Sequence, residues 1–152
     1  MGLIVAQILF YGRSLPHFCF SNWFPCEFTC VDGKLWTSSE HYFMSRKTFD
    51  EEKRELIRLA KTPKLAKELA GPGGIIELRS DWEEVKFDIM VEAILLKFSQ
   101  NQELREELLS TDGFDLHENC PDPVWGGGPN YPAGRDLLGK ALMKARDILK
   151  GS

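Results

Sequence analysis

Residues 122 to 136, DPVWGGGPNYPAGRD, deny regular structure to fifteen consecutive positions, with four glycines and three prolines among them. Proline removes a backbone donor, and glycine leaves nothing to pack. Any fold of this chain must therefore hold a long irregular segment directly ahead of its last helical pattern, RDLLGKALMKARDILK. Trp125 and Tyr131 lie in that segment, where aromatic rings serve a surface role rather than a core one. Glycines clustered before a helix point to the close approach of a ligand.

Turn signals divide the rest of the chain. ILFYG reads as a strand, and CEFTCVDGKLW as a hairpin around an Asp32-Gly33 turn. TSSEHYFMSRK opens with Thr37-x-x-Glu40, a capping-box spacing that predicts a helix running to about Thr48. A charged helix from Glu51 to Ala60 follows. Thr62-Pro63 then caps and starts another, which ends near Gly71 at the GPGG stop. Ser80-x-x-Glu83, a second capping box, opens the longest helix, about Asp81 to Ser99. Its apolar stripe is Trp82, Val85, Ile89, Ala93 and Leu96. A short helix over 102–109, a strand FDLHE, the loop and the final helix complete the chain. No repeat or linker interrupts it. The expectation is one α+β domain over residues 1–152, predominantly helical, with a small N-terminal β-hairpin and sheet.

A chain of 152 residues can bury a sizeable core, and 43% hydrophobic with 28% charged residues is the make-up of a soluble globular protein. A net charge of -4 argues against a broad basic surface for nucleic acid, but not against a local basic patch. MGLIVAQILF is too short to span a membrane and lacks the flanks of a signal peptide. Residues 3 to 10 are therefore read as a buried strand, and the protein as cytoplasmic with no membrane partner. Cys19, Cys26, Cys30 and Cys120 are expected as reduced thiols. Cys26-x3-Cys30 and His117-x2-Cys120 lack a CxxC or HExxH pattern, so no metal and no cofactor are expected. Oligomeric state is left open.

On a helix from Ser38 to Lys47, Glu40 and Lys47 are seven residues apart and project within about 20° of each other. That aligns a carboxylate and an amine beside His41, Tyr42 and Phe43. The alternative is structural: Glu40 closes the capping box and Lys47 is a solvated cation at the helix C-terminus. Further on, FDLHE delivers Glu118, with Asp122 and Trp125 after it. Carboxylates near an aromatic plate suit a reaction that builds positive charge on a sugar ring. Gly126 to Gly128 can offer backbone N–H groups to a ligand, and a helix opening near Gly134-Arg135 can offer its N-terminus to a phosphate. The run EEKRELIRLAKTPKLAK reads as a solvated face. Lys97 reads as a lysine reaching water along apolar surface, beside a core Phe98.

SNWFPCEF, DGKLWTSSEHYFMSRK, DWEEVKFDIMVEAILLKFSQN, LHENCPDPVWGGG and GRDLLGKALMKAR occur in that order. Together they resemble the NADAR family and its YbiA-like N-glycosidases over nearly the whole chain. The resemblance implies cleavage of the N-glycosidic bond in ribosylamino-pyrimidine 5′-phosphates of riboflavin synthesis. It implies Lys47 as the amine that forms a Schiff base at the sugar C1′. The helix's glutamate maps onto Glu40, the D-x-x-W acid and aromatic onto Asp122 and Trp125, and the acid before them onto Glu118; Glu40 or Asp122 is then the proton carrier. An amine must be neutral to attack, a condition burial favours. Arg13, Arg46 and Arg135 are the candidates for the substrate phosphate, and Asn22 for a base or ribose contact.

Two departures stand out. Asp136 replaces an amide with a charge, and Lys86 stands where relatives often carry Arg. Two other functions fit the same residues. One is hydrolysis of ADP-ribose from guanine in DNA or RNA, with a transient nucleic-acid partner. The other is an ADP-ribose or NAD sensor without turnover.

Overall fold

The computed structural model describes residues 5–152. In chain order these form β1 (Gln7–Phe10), a 3-10 turn (Phe18–Phe20), β2 (Phe28–Thr29), β3 (Leu35–Trp36) and α1 (Ser39–Ser45). There follow α2 (Glu51–Arg58), α3 (Pro63–Ala70), α4 (Trp82–Ser99), α5 (Gln102–Ser110), β4 (Asp115–Glu118) and α6 (Leu137–Lys150). The class is α+β with helix predominant, as the sequence implies. Among the described residues no helix is long and apolar enough to cross a membrane. Part of the strand read over residues 3 to 10 lies outside the described residues.

The chain divides into two compact units: the described residues up to Ser21 with Phe98–Ser152, and the intervening Asn22–Lys97. In the first unit β1 pairs with β4 in parallel, Ile8 opposite Leu116 and Phe10 opposite Glu118. Of β1 only Phe10 is buried; Gln7 is exposed and Ile8 and Leu9 half-buried, so this strand is less covered than its apolar sequence suggests. Phe10 and Phe20 meet edge to face with centroids 5.7 Å apart, and Phe98 packs on Phe20 at 6.0 Å. Each such buried ring contributes about 1.5–3 kcal/mol. Arg146 of α6, itself buried, donates from Nη1 to the carbonyls of Thr111 and Phe114, both at 2.9 Å.

In the second unit the predicted hairpin forms, with Phe28 opposite Trp36 and Gly33 at φ 83° in the turn. Phe28, Trp36, Tyr42 and Ala93 make a buried cluster. Asp50 caps α2 and Thr62 caps α3, each accepting first-turn N–H groups. α4 starts at Trp82 rather than after Ser80; the Asp81 carbonyl takes the N–H of Glu84 and Val85, and the Asp81 carboxylate pairs with Arg79.

The buried stripe of α4 is rotated from the predicted one. Trp82, Lys86, Met90, Ala93, Ile94 and Lys97 are buried, while Val85 and Ile89 line a cleft. Two lysines occupy the buried face, which hid it from an apolar-periodicity reading. Lys97 is 1% exposed, with Nζ 5.5 Å from the centre of the Phe24 ring, and so does not reach water as expected. Lys86 pairs with Glu83 one turn back.

Candidate active site

Every residue of α1 is buried, although Ser39, Glu40, His41 and Ser45 are polar. Buried polar groups are tolerated only when bonded, so their partners define the local architecture. Ser38, not Thr37, is the N-cap: its hydroxyl accepts the His41 N–H, and His41 takes the place that an acid would fill in a capping box. Glu40 is a buried carboxylate in the first turn of α1. Its N–H donates to the Asn22 carbonyl at 3.0 Å, and Ser39 Oγ donates to Asn22 Oδ1 at 2.8 Å. Asn22, itself buried, holds the start of the helix, and its amide also faces Met90 Sδ at 3.4 Å.

His41 Nδ1 lies 2.6 Å from Ser38 Oγ, and Nε2 lies 2.9 Å from the Ala60 carbonyl. Both ring nitrogens are therefore spent on the fold. Burial holds the imidazole pKa below its ordinary value, only partly opposed by the bond to Ala60. Burial also pushes the Tyr42 hydroxyl up, reinforced by the Glu92 carboxylate to which it donates.

α1 ends at Ser45, two residues short of Lys47, because the Arg46 N–H folds back onto the carbonyls of Tyr42, Phe43 and Met44. The helical alignment of Glu40 with Lys47 therefore does not apply; Lys47 sits in a tightened turn, its N–H on the Met44 carbonyl at 3.2 Å. Its carbonyl accepts the Arg79 N–H at 2.9 Å, and its Nζ stands 5.7 Å from the centre of the Trp82 ring. Arg79 also donates from Nη1 to the Arg46 carbonyl at 3.3 Å, and its Nε and Nη2 hold Asp81 at 2.6 and 2.8 Å. The sequence reading missed Arg79. The available signal was Arg79-x-Asp81 before a helix, a spacing that lets the guanidinium fold back on the acid. Arg46 and Arg79 line an open cleft of about 360 Å³ with Tyr42 and one face of α4.

In the other unit, the 122–136 loop is braced by its own backbone. Asp122 Oδ1 accepts the N–H of Val124 at 2.8 Å and of Trp125 at 3.0 Å. The Gly126 N–H goes to the Asp122 carbonyl and the Gly127 N–H to that of Glu118, so these two donors are used inside the protein. Gly128, at φ 97°, packs on the His117 ring. Nor does α6 open at Gly134-Arg135 toward a phosphate. It begins at Leu137, and the Leu137 and Leu138 N–H groups donate to the Val124 and Trp125 carbonyls. Arg135 is exposed, with its N–H on the Pro123 carbonyl.

Asp136 occupies the N-cap position at φ 56° without capping through its side chain. Its Oδ2 lies 2.5 Å from His117 Nδ1. The Cys120 thiol donates to Glu118 Oε1 at 3.2 Å, and burial pushes its pKa up to about 12. All four cysteines are free. Trp125, Glu118 and Asp122 are partly buried on this loop and its strand, while Arg13 is exposed.

A helix-rich α+β fold with a buried carboxylate, an amine beside an indole face and a cleft walled by arginines and acids belongs to an enzyme rather than a scaffold. A NADAR domain match spans residues 9–150, and the chain belongs to the NADAR family. It is 38% identical over 144 residues to "N-glycosidase YbiA" of Escherichia coli, covering 93% of this chain and 88% of that protein. The NMR structure of E. coli YbiA superposes with a TM-score of 0.84 at 37% identity, covering 98% of this chain and 88% of that one. "Riboflavin biosynthesis protein VVA0006" of Vibrio vulnificus is 34% identical over 151 residues, which is 98% of this chain but 40% of that protein. With these relatives the chain is placed among hydrolases of N-glycosyl bonds.

Proposed function

We propose that this chain hydrolyses the N-glycosidic bond of ribosylamino-pyrimidine 5′-phosphates of riboflavin synthesis, with Lys47 as the nucleophile. The observation that carries the reading is the buried α1, three of whose polar side chains are hydrogen-bonded and which is followed directly by the Lys47 turn. The names of the relatives support the reaction class and its metabolic setting.

In the proposed course, the ribose ring opens as O4′ takes a proton and C1′ becomes an imine of the substrate amine. The neutral Lys47 amine adds to C1′, the pyrimidine amine leaves with a proton, and an imine to Nζ remains. Water adds to C1′, the C1′–Nζ bond breaks, and ribose 5-phosphate closes. One water is consumed. Glu40 is assigned the proton transfers, as the buried carboxylate of the helix that precedes Lys47. Asp122 is assigned a positioning role, because its Oδ1 already holds the backbone at Val124 and Trp125. Asn22 and His41 are assigned to fixing α1. Glu118 and Trp125, with the loop glycines, remain the proposed substrate-facing segment.

The test is single-turnover incubation with the ribosylamino-pyrimidine phosphate and, separately, with guanine-ADP-ribosylated oligonucleotide, each with borohydride and peptide mapping. The expected result is release of ribose phosphate and a trapped adduct on Lys47, both lost in Lys47→Ala. An adduct on Lys97 would overturn the assignment of the nucleophile. Turnover of the oligonucleotide alone would replace the substrate, and binding of ADP-ribose with no turnover of either would make the protein a sensor.

A further inference from the structure

The two arginines of the cleft in the second unit are held in different ways. Arg79 is committed, its guanidinium bound to Asp81 through Nε and Nη2 and to the Arg46 carbonyl through Nη1. Arg46 is not. Its Nε donates to Ser45 Oγ at 3.1 Å, and it forms no ion pair among the described residues. The Arg46 guanidinium lies 4.7 Å from the centre of the Tyr42 ring and 5.5 Å from that of Trp36. Contact with two ring faces restrains the guanidinium and leaves its outer N–H groups for a bidentate acceptor.

The opposite wall, on α4, carries Asp88 and Glu92, both exposed and four residues apart. Glu92 accepts the Tyr42 hydroxyl proton. Positive charge gathers on the arginine side: burial lowers the Arg54 pKa, and the charges of Arg46 and Arg79 lower it further. A bare anion entering this cleft would meet two carboxylates. A ligand with a phosphoryl group at one end and hydroxyls at the other satisfies both walls, because carboxylates accept from hydroxyls as guanidinium donates to phosphoryl oxygens.

We propose that this cleft binds the 5′-phosphoryl group of a ribosyl ligand on Arg46, with its hydroxyls on Asp88 and Glu92. Arg79 is a positioning residue that pins the backbone of Arg46 and Lys47. The assignment rests on the proposed glycosidase reading and names the part of the chain that recognises the phosphorylated end of that substrate.

Calorimetric titration with ribose 5-phosphate, ADP-ribose and unphosphorylated ribose tests it in wild type, Arg46→Gln, Arg46→Lys and Asp88→Asn. Thermal melts of each variant confirm folding. Ribose 5-phosphate is expected to bind wild type and to lose about 10- to 100-fold in Arg46→Gln. Arg46→Lys should recover part of that loss, keeping the charge without the fork. Ribose affinity should ignore Arg46 and weaken in Asp88→Asn. An equal loss for ADP-ribose extends the site to a pyrophosphate ligand, whereas a loss for ribose 5-phosphate alone restricts it to the monoester.

Absence of ribose 5-phosphate binding, or equal affinity in folded wild type and Arg46→Gln, overturns the proposal. Arg46-dependent binding without hydrolysis keeps the cleft and removes the glycosidase reading. Hydrolysis with KM unchanged in Arg46→Gln does the reverse.

Discussion

Gly127→Ala separates two roles for the glycines of the 122–136 loop. If they admit a ligand, a methyl group should raise KM and leave stability alone. The contacts argue for internal packing. A methyl built on Gly127 stands 2.5 Å from Asp136 Cβ and 3.1 Å from Asp136 Cα and N. The φ of Gly127 lies outside the left-handed region, so conformational freedom does not explain the residue. Nor can Asp136 easily retreat: it is 7% exposed, its Oδ2 is 2.5 Å from His117 Nδ1, and its N–H is on the Gly126 carbonyl at 2.9 Å. Overpacking of this kind costs about 1–3 kcal/mol. The stiffer unfolded chain of the alanine variant offsets about 0.4–1 kcal/mol of it. At mid-range values the net is about 1.3 kcal/mol, a fall in Tm of about 3–5 °C for a chain of this size. Thermal melts followed by circular dichroism read it directly. Gly12→Ala is the control, since nothing lies within 4 Å of its added methyl; it should stay within about 0.5 kcal/mol of wild type. An unchanged Tm with a raised KM in Gly127→Ala refutes the packing argument and restores the ligand role.

Arg146→Ala strips the Thr111 and Phe114 carbonyls of a buried cationic donor and should cost about 2–4 kcal/mol by denaturant titration. For His41 the sign follows from its lowered pKa: the unfolded chain takes the proton first, so stability is whole above about 6.5 and is lost as the pH falls toward the folded value. The stability difference between wild type and His41→Gln should therefore shrink between pH 7 and 5, by at most about 1.4 kcal/mol per unit; a flat or rising difference contradicts the burial argument. Asp122→Asn keeps the oxygen that accepts the Val124 and Trp125 N–H groups, so it should retain most of kcat while Asp122→Ala does not. Equal loss in both would make the carboxylate itself a proton carrier.

Local chemistry was legible in the sequence and non-local contact was not. Asp32-Gly33 and Thr62-Pro63 followed from turn and capping residues whose partners lie within four positions. The α1 start moved because Ser38 rather than Thr37 caps the helix, a choice that falls to the Ser38–His41 pairing. The rotated face of α4 escaped because burial of Lys86 and Lys97 depends on neighbours that periodicity does not encode. The same limit applied to the loop. Its glycines announced close approach, but whether to a ligand or to the chain depends on Asp136, Cys120 and His117, which are distant in sequence.

That distinction bears on where the chemistry is placed. The loop spends Gly126, Gly127 and one oxygen of Asp122 on its own geometry, which makes it a rigid mount rather than a lid. α1 is rigid for a different reason. Three of its polar side chains, Ser39, His41 and Ser45, have partners at 2.6 to 2.9 Å, so leaving any of them unsatisfied would cost about 1–3 kcal/mol. A helix needed only for packing would carry apolar residues there at no such risk. In the proposed reaction, holding Glu40 and the Lys47 turn in place is a use that justifies the risk, because the rate of an amine's attack on C1′ falls steeply with misplacement.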